Sequence, residues 1–344
     1  MDYHAVKYIE TAHGTLETPC FFPVNNFGKK GKASIPEYWN EIPDLKQMLI
    51  NAFVIKKSDQ YKKILQKGLR SYYCHDGHFF VDSGGFQARD QKEALDPLEI
   101  LRIQENVGAD IASTLDIPVF PDDKILCTTH SELIKKSVEN ALKSINYRQN
   151  EEMNLFAAIH GNETSMMVNM INFLEKKAKF DGYAIGGLVP KRSNFIQIIN
   201  LIYSVRKKIK DQPLHVFGLG GPSMIPLLIY LGVDSFDSSS FILAGSHRVY
   251  FSPDIGSRNM NEFPLRERLP CVCPVCSKHT TNEIKMNRRL IALHNLWMIT
   301  LELRRIKSYI EDNSLEDYLD YRFACNPLIN QAYRYAKMKV RGLA

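Results

Sequence analysis

The strongest restriction on the fold is an alternation that runs through the first 250 residues. Short apolar or β-branched runs occur at 20–24, 48–54, 78–81, 110–115, 155–159, 182–185, 214–217 and 232–236, and helix-length stretches separate most of them. Positions 131–150, 164–179 and 194–210 carry apolar residues at helical spacing. Eight strand-like runs joined by helices predict a (β/α)8 TIM barrel, for which 344 residues are ample. A doubly wound parallel sheet is the alternative, because the same alternation can stay open.

The ends of these runs strengthen the barrel reading. Asp82, Asp116, His160, Gly186-Gly187, Gly218 and Asp237 each stand at or just past the end of a run. In a (β/α)8 barrel all C-terminal strand ends meet at one rim, where barrel enzymes place their chemistry. Asp82 lies in Val81-Asp82-Ser83-Gly84-Gly85-Phe86-Gln87, whose glycines permit a tight turn and close approach of a ligand to backbone amides. Three carboxylates at one rim suit nucleophilic attack, proton transfer and recognition of hydrogen-bond donors. A carboxylate metal site is the rival reading, and each aspartate alone could be a helix cap. Gly218-Leu219-Gly220-Gly221-Pro222 could cradle a phosphate at a helix start, and His160 could donate to a carbonyl or simply pack at the rim.

After residue 250 the pattern changes. Cys271, Cys273 and Cys276 bring three thiols within six residues, in a loop that Pro270 and Pro274 stiffen. Zinc takes four N or S ligands tetrahedrally, so a fourth donor is expected downstream. His294, on a helix expected over 283–311, is preferred to His279. Four protein ligands leave no open position, so one structural zinc per chain is expected. The other cysteines, Cys20, Cys74, Cys127 and Cys325, read as reduced and mostly buried thiols. The chain divides on this reading into a barrel core (1–250), a zinc-binding subdomain with a helix closing the barrel (251–312), and a basic helical tail (313–344).

Composition excludes little more. Charged residues number 44 basic and 38 acidic, a net +6 that does not identify a nucleic-acid binder alone. The basic residues do cluster, at Lys29, Lys30 and Lys32, at Lys62, Lys63, Lys67 and Arg70, at Arg206, Lys207, Lys208 and Lys210, and at Arg334, Lys337, Lys339 and Arg341. Such runs are solvated helix faces or, taken together, a track for a phosphate backbone. No apolar run approaches the ~18 residues of a membrane span, and Met1-Asp2-Tyr3-His4 has no signal-peptide character, so a cytoplasmic protein without membrane contact is expected.

The motifs together resemble the tRNA-guanine transglycosylase superfamily over roughly 8–318. The resemblance is carried by His13-Gly14-Thr15-Leu16-Glu17-Thr18-Pro19, the Asp82–Gln87 segment and Phe180-Asp181-Gly182-Tyr183-Ala184-Ile185-Gly186-Gly187-Leu188. It continues through His215-Val216-Phe217-Gly218, Gly232-Val233-Asp234-Ser235-Phe236-Asp237-Ser238, the three cysteines and Leu293-His294-Asn295-Leu296. It implies a (β/α)8 barrel with a zinc-binding insertion, and a pentosyltransferase that exchanges a guanine in a polynucleotide for a 7-deazaguanine. Asp237 is then the nucleophile that forms a covalent aspartyl–sugar intermediate, and Asp82 the general acid/base. Ser83, Asp116, His160, Gly186 and Gly187 would line the base site, with Phe86 and Phe217 sandwiching the purine.

Departures from the family pattern refine this expectation. Ser239-Ser240-Phe241-Ile242 replaces the Pro-Thr-Arg stretch that follows the nucleophile in bacterial members, and His160 replaces their glutamine. Val189-Pro190-Lys191 stands where they place an acid, so an uncharged 7-cyano base fits better than a cationic 7-aminomethyl base. Phe236-Asp237-Ser238 and Gly187-Leu188-Val189-Pro190 look like the archaeosine-type branch. That branch carries C-terminal RNA-binding domains, and the stretch after 318 is too short to supply them, which favours DNA slightly over tRNA as the polymer. A non-catalytic partner subunit of a transglycosylase and an unrelated zinc-stabilised barrel hydrolase are the other readings. A homodimer is compatible with all of these.

Overall fold

The computed structural model describes residues 5–25, 37–119, 127–252, 256–263, 268–269, 271–324 and 326–342. Eight parallel strands form one sheet: β1 (Cys20–Pro23), β2 (Gln47–Asn51), β3 (His78–Asp82), β4 (Ile111–Ser113), β5 (Asn154–Ile159), β6 (Gly182–Ile185), β7 (Leu214–Val216) and β8 (Ser235–Ser238). Neighbours in sequence are neighbours in space, and β8 pairs back onto β1 with Asp237 opposite Phe22. The parallel bridge Val24–Leu49 and the Asn25 N–H bond to Leu49 O (2.9 Å) draw β1 to β2 and bring the ends of the sheet together. The fold is a TIM-like (β/α)8 barrel, not a doubly wound sheet.

Two expected strands shift. The run at 48–54 stops at Asn51, whose side chain accepts from Val54 N–H (3.1 Å) and so caps a helix at Ala52–Lys57. The run at 232–236 starts late, at Ser235, because Gly232 has φ +79° and turns the chain before the strand. The helix expected at 283–311 is two: Thr281–Met286, opened by a Thr280–Glu283 capping box, and Arg288–Glu311. Asn287 interrupts them with extended backbone, and its side chain caps the second at Arg289 N–H.

Side-chain alternation sorts the barrel core into two layers. Cys20, Phe22, Leu49, Phe80, Ile111, Phe156 and Ala184 point inward and fill the interior. Ile9 and Leu16 of a hairpin, Lys7–Thr11 paired with Gly14–Thr18, plug its lower end. Residues of opposite parity pack beneath the helices in a core that continues through Cys273 and Leu296 to Tyr333. Helices Leu315–Phe323 and Pro327–Val340 complete the tail, and the second packs against the helix Phe195–Ile209.

The basic clusters are in part committed to ion pairs within the molecule. Lys337 and Arg341 pair with Glu316, Lys208 with Glu175, and Arg206 is fully buried against Asp234, so the segment 206–210 is not simply a solvated face. Lys29, Lys30 and Lys32 lie outside the described residues. Of the scattered cysteines, Cys20 is buried but Cys74 is exposed, at the left-handed end of the helix Tyr61–Tyr73. Cys325 and the side chain of Cys127 fall outside the described residues. No described helix is long and apolar enough to cross a membrane.

Candidate active site and metal centre

Because β3 alternates, Phe80 and Asp82 face the same way: Phe80 fills the interior and Asp82 tops it at the rim. Ser113 at the end of β4 donates to Asp82 Oδ1 (3.0 Å), while the Asn51 side-chain amide (2.9 Å) and Gly84 N–H (3.3 Å) donate to Oδ2. Asn51 thus uses its oxygen to cap a helix and its nitrogen to hold Asp82. Gly84 sits at φ +92° and a Cβ there would lie 2.5 Å or less from Asn51 Oδ1 and Phe53 Cβ, so only glycine permits this turn. Burial raises the Asp82 carboxyl to about 6; the nearby Asp237 charge adds to the shift, against the hydrogen bonds from Ser113 and the backbone.

Asp237 is held differently. Its Oδ1 accepts from Gly218 N–H (2.9 Å) and from His215 Nε2 (3.2 Å), while Oδ2 has no hydrogen bond among the described residues. His215 is fully buried, and its Nδ1 meets Ser235 Oγ (2.8 Å). With Nε2–H donated to the carboxylate, Nδ1 accepts from the serine, which locks the ring. Burial lowers the His215 pKa against the opposing pull of Asp237. Gly218 N–H therefore serves Asp237, and the glycine run does not open a long helix: the one that follows is the short Ile225–Tyr230.

Asp116 lies just past β4, close enough that its charge and that of Asp82 interact. Burial first, and Asp82 second, raise it to about 7. A Cβ at Gly85 would come within 2.2 Å of Asp116 O, and one at Gly186 within 3.0 Å of Asp116 Oδ2, so both glycines let backbone lie against this carboxylate. Ser83 is buried, and its N–H bonds Ser113 Oγ (3.2 Å). Phe217 sits edge-on over Phe80 (5.7 Å between centroids) and His215 (4.6 Å). Phe86, on the first turn of the helix Gly85–Asp90, is 42% exposed.

His160 is wholly buried beyond β5. Its Nε2 meets Ser137 Oγ (2.9 Å), which already donates to Leu133 O and accepts from Ile117 N–H. The ring therefore donates from Nε2, and Nδ1 is left as an acceptor without a partner among the described residues. Burial, then the Lys191 and Arg89 charges, push its pKa down to about 3, so it stays neutral. With Nε2–H given to Ser137, the ring packs at the rim and offers only the Nδ1 acceptor. The sequence reading also gave no role to His215, Asn51, Ser113 or Lys191. The only signal for the first three is a polar side chain on the inward parity of a strand or at its end.

The second cluster lies beyond the barrel strands. Ligand atoms of Cys271, Cys273, Cys276 and His294 all fall within 4.8 Å of one another and could hold a metal ion. His294 Nδ1 stands 3.8, 3.3 and 3.5 Å from the three sulfurs in sequence order. Its Nε2 bonds Phe251 O (2.9 Å), and the Tyr250 ring stacks on it at 3.7 Å and 8°. That bond fixes which nitrogen faces the sulfurs, as metal-bound histidines require. The separations match the edges of a tetrahedron around one ion bound to three sulfurs and a nitrogen. His279 is instead beside Glu283 and outside the group; Pro270 lies outside the described residues.

The family described as queuine tRNA-ribosyltransferase matches residues 5–327 of this chain. Similar proteins include the tRNA-guanine(15) transglycosylases of Methanococcus aeolicus (32% identical over 93% of this chain and 50% of that protein), Pyrococcus abyssi (31%, over 93% and 54%) and Saccharolobus solfataricus (29%, over 95% and 65%). The chain spans about half to two thirds of the length of these relatives. With barrel, rim and Cys3His cluster already in the order that the motifs announced, the match is decisive: the chain belongs to the queuine tRNA-ribosyltransferase family, within the tRNA-guanine transglycosylase superfamily.

Proposed function

We propose that this chain catalyses guanine exchange in a polynucleotide, replacing guanine by a 7-deazaguanine through a covalent sugar–enzyme intermediate. The observation that carries it is the pair at the rim: Asp237 with one anchored and one open oxygen, and Asp82 buried with its carboxyl near 6. Asp237 Oδ2 attacks C1′ of the target nucleoside as the C1′–N9 bond breaks, and its electron pair leaves with the guanine. Protonated Asp82 gives its proton to that base. The incoming base then loses its N9 proton to Asp82, N9 attacks C1′, and the bond from C1′ to Asp237 breaks, restoring both carboxyl groups. A group near 6 can act in both directions at neutral pH. His215 and Gly218 hold Oδ1 and spread the charge that returns when the ester breaks.

Asp116, as a carboxylate, accepts from N1–H and the 2-amino group of guanine, while Phe86 and Phe217 enclose the ring faces. The target must leave its stack for its base to meet carboxylates set into the barrel rim. The Cys3His cluster holds zinc; its four protein donors leave no open position, so the ion stabilises the fold and stays out of the chemistry. The named relatives make tRNA the first polymer to test and duplex DNA the second. Incubating the protein with labelled guanine and each polymer should label one of them. Failure to label either, by protein that holds zinc and is folded, would overturn the assignment.

A further inference from the structure

The barrel interior is apolar through its first six strands, from Cys20 and Phe22 on β1 to Ala184 on β6. On β7 and β8 the inward positions turn polar: His215, Ser235 and Asp237. His215 and Ser235 are register partners on adjacent strands, and Asp237, two residues past Ser235, faces the same way. The imidazole spans the two β8 side chains, with Nδ1 2.8 Å from Ser235 Oγ and Nε2 3.2 Å from Asp237 Oδ1. Rings of Phe22 (6.1 Å), Phe80 (4.4 Å) and Phe217 (4.6 Å) stand around it.

Full burial among three phenylalanines disfavours an imidazolium, so the ring acts as a neutral donor. A neutral imidazole has one N–H, and the carboxylate takes it at Nε2, which leaves Nδ1 as acceptor for the serine O–H. Both hydrogen bonds therefore run toward Asp237. Ser235 is wholly buried, and its Oγ has no other hydrogen bond among the described residues, so the hydroxyl serves only to fix the tautomer.

A donor fixed on Oδ1 does not treat the two states of Asp237 alike. In the free protein Oδ1 belongs to a carboxylate; in the intermediate it is the carbonyl oxygen of a sugar ester. A hydrogen bond to an anion is roughly twice as strong as one to a neutral acceptor. When N9 of the incoming base attacks C1′, the C1′–Oδ2 bond breaks and its electron pair returns to a carboxylate already under the Nε2–H. We propose that Ser235 and His215 are positioning residues that limit the lifetime of the covalent intermediate: the serine holds the tautomer, and the histidine favours free carboxylate over ester. An imidazolium would go too far, holding Asp237 in an ion pair that blunts its attack.

This inference rests on the base-exchange reading, and its test separates the two. The full chain is mixed with polymer and a fixed level of free guanine at about pH 8, where carboxyl groups are ionised. Protein that stays attached to polymer after denaturation is then counted. His215→Leu should raise the ratio of attached to free protein about tenfold. In exchange kinetics its kcat and its KM for polymer should fall together by a similar factor, leaving kcat/KM for polymer within about threefold of wild type, as when the second half of a ping-pong reaction becomes limiting. His215→Gln keeps an N–H donor and should return the ratio toward wild type. Ser235→Ala should lie between, because the ring can then carry its hydrogen on Nδ1. Zinc content and melting midpoint check that each variant is folded; if His215→Leu is not, Ser235→Ala decides. The proposal is overturned by a ratio that the folded variants leave unmoved or lower, by kcat/KM for polymer falling in step with kcat, or by a His215→Gln that behaves like His215→Leu. Wild-type protein that neither exchanges a base nor attaches to polymer instead defeats the base-exchange reading, and this inference with it.

Discussion

The two ends of the barrel use the same residue type for opposite purposes. At the lower end, Asp110, Asp181 and Asp234 stand immediately before β4, β6 and β8. Each accepts one backbone N–H from the preceding strand, Phe79 (2.7 Å), Leu155 (2.8 Å) and Leu214 (2.8 Å) respectively. Each also binds one guanidinium at 2.5 Å: Arg70, Arg148 and Arg206. The same device is repeated at β4, β6 and β8, tying each to the strand before it and to the helix, or the residue just after the helix, that leads into that preceding strand. At the upper rim, Asp82 and Asp237 have hydroxyl, amide and imidazole partners, and neither they nor Asp116 has an arginine or lysine bridge among the described residues. The lower carboxylates are neutralised and finish their work when the chain folds. The upper ones are held in place and left with capacity, at a cost in stability that a ligand or proton must offset.

The largest test of this contrast is Asp237→Ala. Base exchange should fall by about 10⁴-fold or more, as loss of a covalent nucleophile does, while the thermal midpoint stays within a few degrees of wild type. Guanine release at a tenth of the wild-type rate would show that the rim carboxylate is not the nucleophile. Next is Cys273→Ala, outside the comparison but a gauge for it: the purified variant should lack stoichiometric zinc by metal analysis and melt many degrees lower, because metal binding free energy is folding free energy here. Full stability without metal would refute a structural site.

At the lower end, Arg206→Met strands the Asp234 carboxylate. Lys7 lies 3.3 Å from its other oxygen and limits the damage, so denaturant melts should report a loss of roughly 3 kcal/mol with kcat of the folded protein little changed. A variant with intact stability but lost turnover would erase the division between the two ends. The smallest effect has the opposite sign. Folding raises the Asp116 carboxyl from 3.8 to about 7, so the folded chain keeps that proton to higher pH than the unfolded chain does. Stability therefore falls as pH rises from about 4 to about 7, and Asp116→Asn should gain about 1–3 kcal/mol at neutral pH. The same residue must be ionised to accept from guanine, so wild-type KM for the base should rise as pH drops below about 7 and lose that dependence in Asp116→Asn. A destabilised variant at pH 7 would show that Asp116 is structural after all.

Much of this arrangement was legible in the linear chain because it depends on local rules. Alternating apolar runs and helix-length gaps specify a (β/α)8 barrel, since a strand needs two neighbours and a helix one covering face. Residues at run ends must share a rim once that barrel closes, which is how Asp82, Asp116 and Asp237 could be grouped from positions so far apart. The close spacing of Cys271, Cys273 and Cys276 is itself a coordination geometry, and His294 followed from its place on the expected helix. Boundaries were less legible where one residue overruled a trend, as Asn51 does by capping a helix inside an apolar run and Gly232 by turning the chain before β8.

What only the tertiary structure decided is which of two identical side chains is satisfied. Asp234 and Asp237 are three residues apart, and composition gives no reason to treat them differently. One meets Arg206 from a neighbouring helix, and the other meets His215 and a backbone amide from a neighbouring strand. Among the described residues, the unpaired charge of Lys191, the open nitrogen of His160 and the open oxygen of Asp237 are likewise properties of what does not come near. Proximity in sequence sets which elements form; the balance of charge and hydrogen bonding at a buried atom depends on side chains brought from distant parts of the chain, and exists only after packing has placed them.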